Sequence, residues 1–362
     1  MVETAKSTID RRNFLKATGA AGIAAPMFYV KNAWSQDKAI SVGTYMGVQG
    51  EYIRKSVIPK FQADYGCRVF QSEGVTLGQI AILRTQKANP TYSVMFMDDV
   101  GIPIAKAEDL IRELPRKNMP NLARINPRFI MNDGFGASFA IFPVAPIYNT
   151  NIPKPPASWA DLWDPRFKGK YMLTTPKQTQ SVMLVIAAAS LVTGKPFAEA
   201  QYMIDAAWPK LAELKPNVQT TYENALTALL QLSQGQADIL GPDSQKIVLP
   251  YAAQGASVAM AFPKEGAFLG INCVTLVKNG PNPDLAVAFA DRLFEPSIQK
   301  GLAEVGYSAP TISGLDLSPE ALKNLAYPES RLKEMNLLAP DWSYLNPIRG
   351  QIIEKWNQIF GG

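Results

Sequence analysis

The sequence contains no histidine and only two cysteines among its 362 residues. Without histidine the chain cannot form Ser–His or Cys–His nucleophile pairs, and it cannot form a histidine-ligated metal site. The cysteines, Cys67 and Cys273, lie far apart along the chain. They could form a disulfide in an oxidising compartment, or they could be two separate small buried residues.

Catalytic motifs are also missing. The sequence has no phosphate-binding loop, no Gly-x-Ser-x-Gly elbow, no Cys-x-x-Cys pair and no dinucleotide-binding fingerprint. The adjacent carboxylates Asp98 and Asp99 could be a metal or acid–base pair, although a polar strand end that lines a cleft or caps a helix is the favoured interpretation. A secreted hydrolase that uses carboxylates stays open as an alternative. We predict a protein that is not an enzyme and that carries no cofactor and no metal.

The chain lacks a strong charge bias outside its first residues. The formal net charge is +5, and residues 1–35 supply +3 of it. The remaining chain has no run rich in lysine or arginine, so a nucleic-acid partner is not expected. Apolar residues make up 47% of the sequence, which is enough for one large or two medium cores.

The first 35 residues predict an export signal. Arg11 and Arg12 are followed by Phe-Leu-Lys, then by an apolar stretch of about 13 residues and a plausible cleavage site after Ser35. The paired arginines resemble a twin-arginine signal, although Asp10 replaces the usual serine or threonine. A membrane anchor is the alternative, but the stretch is shorter than the roughly 20 residues that span a bilayer. We expect a periplasmic protein.

The mature chain alternates short apolar strands with helical patterns. Residues 39–44, 68–71 and 93–97 are predicted strands, and amphipathic helices separate them. A second series begins near Tyr171 and continues through long helical stretches to strands at 237–240 and 258–261. This spacing predicts an α/β protein with mostly parallel sheets covered by helices.

Several segments carry a resemblance to a known family. From about Gln36 onward the chain resembles type II periplasmic solute-binding proteins of ABC transporters, in particular the spermidine/putrescine-binding branch. The segments, in order, are Ser158-Trp159-Ala160-Asp161-Leu162-Trp163-Asp164-Pro165, Phe167-Lys168-Gly169, Gly235-Gln236-Ala237-Asp238, Pro263-Lys264-Glu265-Gly266 and Val305-Gly306-Tyr307-Ser308-Ala309-Pro310. The first of these runs is specific, and the others are weaker individually.

The resemblance implies two α/β lobes joined by two crossing strands, near residues 140–148 and 263–272. We expect lobe 1 to comprise residues 36–145 and 271–315, and lobe 2 to comprise residues 146–270 and 316–362. A small ligand would bind between the lobes, which would close on it by a hinge motion. The expected partners are this ligand and an ABC permease in the inner membrane, and the protein is expected to act as a monomer. This topology separates the cysteines, so we expect no disulfide.

Ligands of such sheets bind at the carboxyl ends of the strands. This rule and the resemblance together give nine candidate ligand-binding residues. They are Thr44, Tyr45, Glu73, Asp99, Thr175, Lys177, Asp243, Asn272 and Tyr307.

The chain departs from the family pattern at the positions that hold amines in polyamine binders. The expected tryptophan is Gly270, the expected aspartate is Asn272, and the formerly acidic segment contains Thr175 and Lys177. We therefore expect a small polar organic ligand with an anionic or neutral end, and weak binding of long polyamines. A polyamine binder and a ferric-iron receptor remain alternatives, although iron receptors of this fold tend to carry adjacent tyrosines, which this chain lacks.

Overall fold

The predicted alternation of strands and helices is present in the computed structural model, which describes residues 38–361. In chain order the strands are β1 (Ala39–Thr44), β2 (Arg68–Glu73), β3 (Val94–Asp98), β4 (Ile111–Arg112), β5 (Ile130–Met131), β6 (Gly136–Asn149), β7 (Tyr171–Thr174), β8 (Val218–Tyr222), β9 (Ile239–Ser244), β10 (Val258–Met260), β11 (Ala267–Val277) and β12 (Leu337–Leu338). The expected signal peptide lies outside the described residues.

The α-helices lie between and after these strands. They are α1 (Val48–Tyr52), α2 (Ile58–Tyr65), α3 (Thr76–Thr85), α4 (Gly101–Ala107), α5 (Thr179–Thr193), α6 (Phe197–Ala200), α7 (Ala207–Leu214), α8 (Ala225–Ser233), α9 (Gln245–Ala253), α10 (Pro283–Arg292), α11 (Pro296–Glu304), α12 (Pro319–Asn324), α13 (Glu329–Glu334), α14 (Trp342–Leu345) and α15 (Arg349–Phe360). A π-helical turn, Ile53–Val57, connects α1 to α2. Gly66 ends α2 in the left-handed conformation with φ 57°, as its position in the sequence predicts.

The strands form one sheet with two parallel parts. Its main path is β2-β1-β3-β11-β6-β9-β7-β8. β1 pairs in parallel with β2 and β3, and β7 pairs in parallel with β8 and β9. The long strands β6 and β11 pair antiparallel with each other and connect the two parts. They occupy the positions predicted for the two crossing strands, and the α/β fold class is confirmed.

Each of the two long strands contributes buried apolar side chains to more than one core. In β6, Ile141 belongs to the first core and Phe142 to the second; in β11, Phe268 belongs to the second core and Leu269 to the first. A third cluster lies around Met172 in the second part of the sheet. The side chains of β6 and β11 therefore contribute to two separate cores.

The C-terminal segment packs against both cores in turn. Leu317 and Leu332 belong to the first core, whereas Trp342 and Trp356 belong to the second. The expected division assigned all of residues 316–362 to lobe 2. We propose instead that the chain stays with lobe 1 as far as Leu332 and joins lobe 2 from Trp342 onward.

Two of the segments that carry the family resemblance contact each other. Ser158 caps the 3₁₀ turn Trp159–Trp163, and its hydroxyl is hydrogen-bonded to the Glu265 carboxylate. The Trp159 indole N–H donates to the Gly266 carbonyl at 2.9 Å. These contacts fix the loop that enters β11 against the segment that begins at Ser158.

Cys67 and Cys273 are buried free thiols, so the expectation of no disulfide is confirmed. None of the helices within residues 38–361 has the length and the apolar character needed to cross a membrane.

Candidate ligand-binding cleft

Three polar side chains form a hydrogen-bonded series between the two parts of the sheet. Asn272 on β11 is opposite Asp98 on β3, and its amide donates to the Asp98 carboxylate at 2.6 Å. The Lys246 ammonium, in the first turn of α9, donates to the Asn272 carbonyl oxygen at 2.8 Å. The series therefore links a strand end of the first part to a helix that follows a strand of the second.

Two aromatic rings flank the Lys246 ammonium. Its nitrogen is 4.2 Å from the centre of the Phe142 ring and 4.9 Å from the centre of the Tyr45 ring. Phe142 pairs with Gly270 across β6 and β11, and a Cβ atom at Gly270 would lie only 2.2 Å from the Phe142 ring. The absence of a side chain at Gly270 thus makes room for Phe142. Aromatic faces of this kind attract cations.

The environment of Lys246 disfavours its charged form. Burial lowers the pKa of Lys246 to about 8, and the negative charges of Asp98 and Asp243 oppose part of this effect. No carboxylate oxygen of residues 38–361 lies within the 4.0 Å of an ion pair with this ammonium. Lys246 is therefore a half-buried cation held by an amide and two aromatic faces.

Asp99 and Tyr45 are buried beside this series. Burial raises the pKa of Asp99 well above its usual value, and the charge of Asp98 raises it further. Burial, and then Asp98, raise the pKa of Tyr45, whose hydroxyl has no hydrogen-bond partner within the described part of the chain. Two buried polar groups thus lie at the ends of β1 and β3.

On the second part of the sheet, the Asp243 carboxylate accepts several hydrogen bonds from neighbouring residues. It accepts from the Tyr222 hydroxyl at 2.8 Å, from the Ser244 backbone N–H at 2.7 Å and from the Gln180 amide at 3.3 Å. Burial nevertheless raises the pKa of Asp243. The nearby Thr175 hydroxyl is buried and has no partner among residues 38–361. Thr175 can therefore still donate to a ligand, whereas Asp243 is largely committed.

The structure does not bring the remaining predicted residues into this group. Glu73 forms an ion pair with Arg54 at 2.8 Å. Lys177 forms one with Glu223 at 2.8 Å, and its side chain is 76% exposed. The Thr44 hydroxyl is buried and accepts from Gln71 at 2.7 Å, so it supports the strand end that carries Tyr45.

Tyr307 also lies apart from the Lys246 group. It has a left-handed backbone with φ 50°, and its side chain lines a shallow depression with Ser318 and Leu325. This depression is formed by α11 and α12 of the first core. No described contact links Tyr307 to Lys246 or Asn272.

A helical segment near the C-terminus contributes residues that the sequence did not suggest. The Asn346 amide donates to the Val100 carbonyl at 2.9 Å, and the Arg349 guanidinium donates to the Lys177 carbonyl at 2.8 Å. The Trp342 indole N–H and one Arg349 nitrogen are buried without a partner in the described chain. The segment therefore bridges the loops that follow β3 and β7, and it leaves donors free.

Lys246 and Phe142 are the other residues missed from the sequence. Lys246 has one local signal, because it is a cation in the first turn of a helix, where the helix dipole disfavours positive charge. It also follows the predicted strand end at Asp243 by three positions. Phe142 has no comparable signal, since it lies within a long apolar strand.

Residues 56–329 match the family described as bacterial extracellular solute-binding protein. The chain belongs to this family. Its members are binding proteins rather than enzymes, and solute binding is accordingly the class of function of this protein.

Known relatives agree with this assignment. This solute-binding protein is 24% identical over 292 residues to the spermidine/putrescine-binding periplasmic protein of Escherichia coli K12, which covers 77% of the chain and 81% of the relative. Among solved structures, MotA of A. tumefaciens B6 in complex with glucopine superposes with a TM-score of 0.75 at 19% identity, covering 89% of this chain and 99% of MotA. AfuA of Actinobacillus pleuropneumoniae, with bound fructose-6-phosphate, gives a TM-score of 0.72 at 19% identity, covering 90% of this chain and 99% of AfuA. At these identities the two structures support the two-lobed fold alone.

Proposed function

We propose that this protein is the periplasmic substrate-binding component of an ABC importer. It captures a small polar organic solute between two lobes and delivers it to a permease in the inner membrane, without catalytic turnover and as a monomer. The observation that supports this most strongly is the buried polar group around Asn272 and Lys246. It lies where the two parallel parts of the sheet meet, at the carboxyl ends of their strands.

Polyamine binding is the second candidate, because the relative from Escherichia coli is named for spermidine and putrescine. A polyamine site needs carboxylates and aromatic faces that replace the water around each ammonium. In this chain the aromatic faces of Tyr45 and Phe142 already hold an ammonium. We therefore favour a solute other than a long polyamine.

The proposed function is tested by a solute screen of the mature protein. A library of sugars, amino acids, carboxylates, phosphates and polyamines is added, and the shift of the unfolding temperature is measured. A ligand at a concentration of about 100 Kd should raise the stability by about 2.7 kcal/mol. Every solute that stabilises the protein is then examined by small-angle X-ray scattering. We expect the radius of gyration to decrease on binding, because the lobes close about β6 and β11. A complete absence of ligands, or ligands that bind without closure, would argue against the proposal.

Export by the twin-arginine route belongs to the same proposal. Replacing Arg11 and Arg12 together by lysine should trap the full-length precursor in the cytoplasm, because the paired arginines are the proposed recognition element. The measurement is fractionation of cells followed by immunoblotting. The control replaces Lys6, a basic residue outside the pair, by glutamine and should leave export unchanged. Normal periplasmic delivery of the double variant would rule out this route.

A further inference from the structure

The ammonium of Lys246 contacts two aromatic rings, an environment that also suits the ammonium group of a ligand. It lies between the faces of Tyr45 and Phe142, with its nitrogen 4.9 Å and 4.2 Å from the two ring centres. We infer that Lys246 fills the amine subsite from within the chain, so that the cleft excludes diamines and receives a carboxylate of the ligand. This inference rests on the proposed solute-binding function and names the class of solute.

The aromatic faces themselves are intact, so the cleft retains the means to hold a cation. Gly270 leaves space for the Phe142 ring, since any Cβ atom there would lie within 2.2 Å of it. Phe142 and Tyr45 then provide two faces to one nitrogen. A second ammonium cannot share these faces with Lys246, because two buried like charges at contact distance repel each other strongly. Lys246 therefore determines which end of a solute can enter.

The ammonium also has unused hydrogen-bonding capacity. It carries three N–H groups, and its hydrogen bond within residues 38–361 is the one to Asn272. Asn272 is neutral and is itself bonded to Asp98 at 2.6 Å, so an amide separates the two charges. The other two N–H groups of the Lys246 ammonium have no acceptor among the described residues, and a ligand carboxylate would supply both acceptor oxygens and the opposite charge.

The position of Lys246 on its helix also favours an anionic group of the ligand. α9 has nine residues, and Lys246 is the second of them. The helix dipole places partial positive charge at this end, which disfavours a cation and favours an anion. A ligand carboxylate at Lys246 would interact favourably with both the ammonium and the helix end.

Two polar groups nearby fit the other end of such a solute. Asp99 and the Tyr45 hydroxyl are buried at the strand ends beside the Lys246 series, and the Tyr45 hydroxyl has no partner in the described chain. Asp99 accepts one backbone N–H, from Val100 at 3.1 Å. A solute with a carboxylate at Lys246 and a polar or ammonium end toward Asp99 would use all of these groups.

The test uses three four-carbon solutes that differ only in their ends. Putrescine carries two ammonium groups, 4-aminobutyrate carries one ammonium and one carboxylate, and succinate carries two carboxylates. Each is titrated calorimetrically into the mature wild-type protein and into the variants Lys246→Ala and Lys246→Met. Lys60→Ala, at an exposed lysine on α2, is the matched control. The two Lys246 variants separate the loss of charge from the opening of space.

We expect the wild type to bind 4-aminobutyrate, succinate or both about tenfold or more tightly than putrescine. A tenfold difference corresponds to about 1.4 kcal/mol of binding free energy. Both Lys246 variants should lose carboxylate affinity by a similar factor. Lys246→Ala should gain putrescine binding, because it vacates the space between the rings, whereas Lys246→Met fills that space and should not. Lys60→Ala should match the wild type for all three solutes.

Several results would overturn the inference. A wild type that prefers putrescine, or carboxylate binding that survives in both Lys246 variants, contradicts it directly. If the solute screen described above returns ligands and none of them carries a carboxylate, the inference is wrong while the proposed function stands. If the screen returns no ligand of any class, the proposed function fails as well.

Discussion

Replacing Lys246 by methionine is expected to make the mature protein about 2 kcal/mol more stable at pH 7.5, and this advantage should fall as the pH rises. A pKa lowered by burial to about 8 from 10.5 corresponds to a penalty of about 3 kcal/mol when the lysine is charged. Methionine removes this penalty and still fills the space between the two rings. The substitution also removes the hydrogen bond from Lys246 to Asn272, and this loss reduces the gain in stability by about 1 kcal/mol.

The sign of the pH dependence follows from proton binding. The folded pKa of Lys246 is below the unfolded one, so the unfolded chain binds more protons between about pH 8 and 10.5. The stability of the wild type therefore rises through this range relative to the variant. We expect the difference between the two proteins to fall by about 2 kcal/mol between pH 7.5 and 9.5.

Urea unfolding of both proteins at pH 7.5, 8.5 and 9.5 measures this difference, and all groups common to the two proteins cancel. Lys60→Met is the control, because an exposed lysine should show neither the gain nor the pH dependence. A difference that is independent of pH would mean that Lys246 is solvated in the free protein, contrary to its position here.

Replacing Trp159 by alanine is expected to lower the free energy of unfolding by about 4 kcal/mol. The indole is completely buried, and its centre is 5.7 Å from the Phe268 ring and 6.2 Å from the Phe197 ring. The substitution leaves a large cavity in the second core. It also removes the hydrogen bond from the indole to the carbonyl of Gly266, a buried residue.

The same measurement on Trp208→Ala provides the comparison. Trp208 is only half-buried and packs beside the exposed end of Lys355, so its loss should cost less than about 2 kcal/mol. Because Gly266 precedes β11, we also expect Trp159→Ala to weaken the binding of any ligand found in the solute screen. Equal losses of stability in the two variants would contradict the packing described for Trp159.

The candidate site was only partly predictable from the sequence. Tyr45 and Asp99 were expected at strand ends and Asn272 was expected from the resemblance, and the structure groups all three around the Lys246 series. Whether they bind a ligand remains a prediction. Glu73 and Lys177 satisfy the same strand-end rule, yet each forms an ion pair at 2.8 Å outside this group. The strand-end rule identifies the correct edge of the sheet, but it does not specify the direction in which each side chain points.

Lys177 and Lys246 show most clearly that side chains at similar positions after a strand can point in different directions. Both follow a strand of the second part of the sheet by a few residues. Lys177 lies on the surface and pairs with Glu223, whereas Lys246 is half-buried and packs against rings from β6 and from the end of β1. The first-turn position of Lys246 is the one local signal that separates the two lysines, because most of their surroundings come from segments that are distant along the chain.

The sequence by itself determined the alternation of strands and helices, the two crossing strands, the stop of α2 at Gly66 and the family. These features depend on local periodicity, on turn residues and on short segments, which the chain carries wherever it is folded. Only the tertiary structure decided that Lys246 fills the space between Tyr45 and Phe142, and that Asn272 joins it to Asp98, 174 residues away from Asn272 in sequence. The reason is physical: the direction and charge state of a buried polar side chain depend on the burial and the partners that other elements provide.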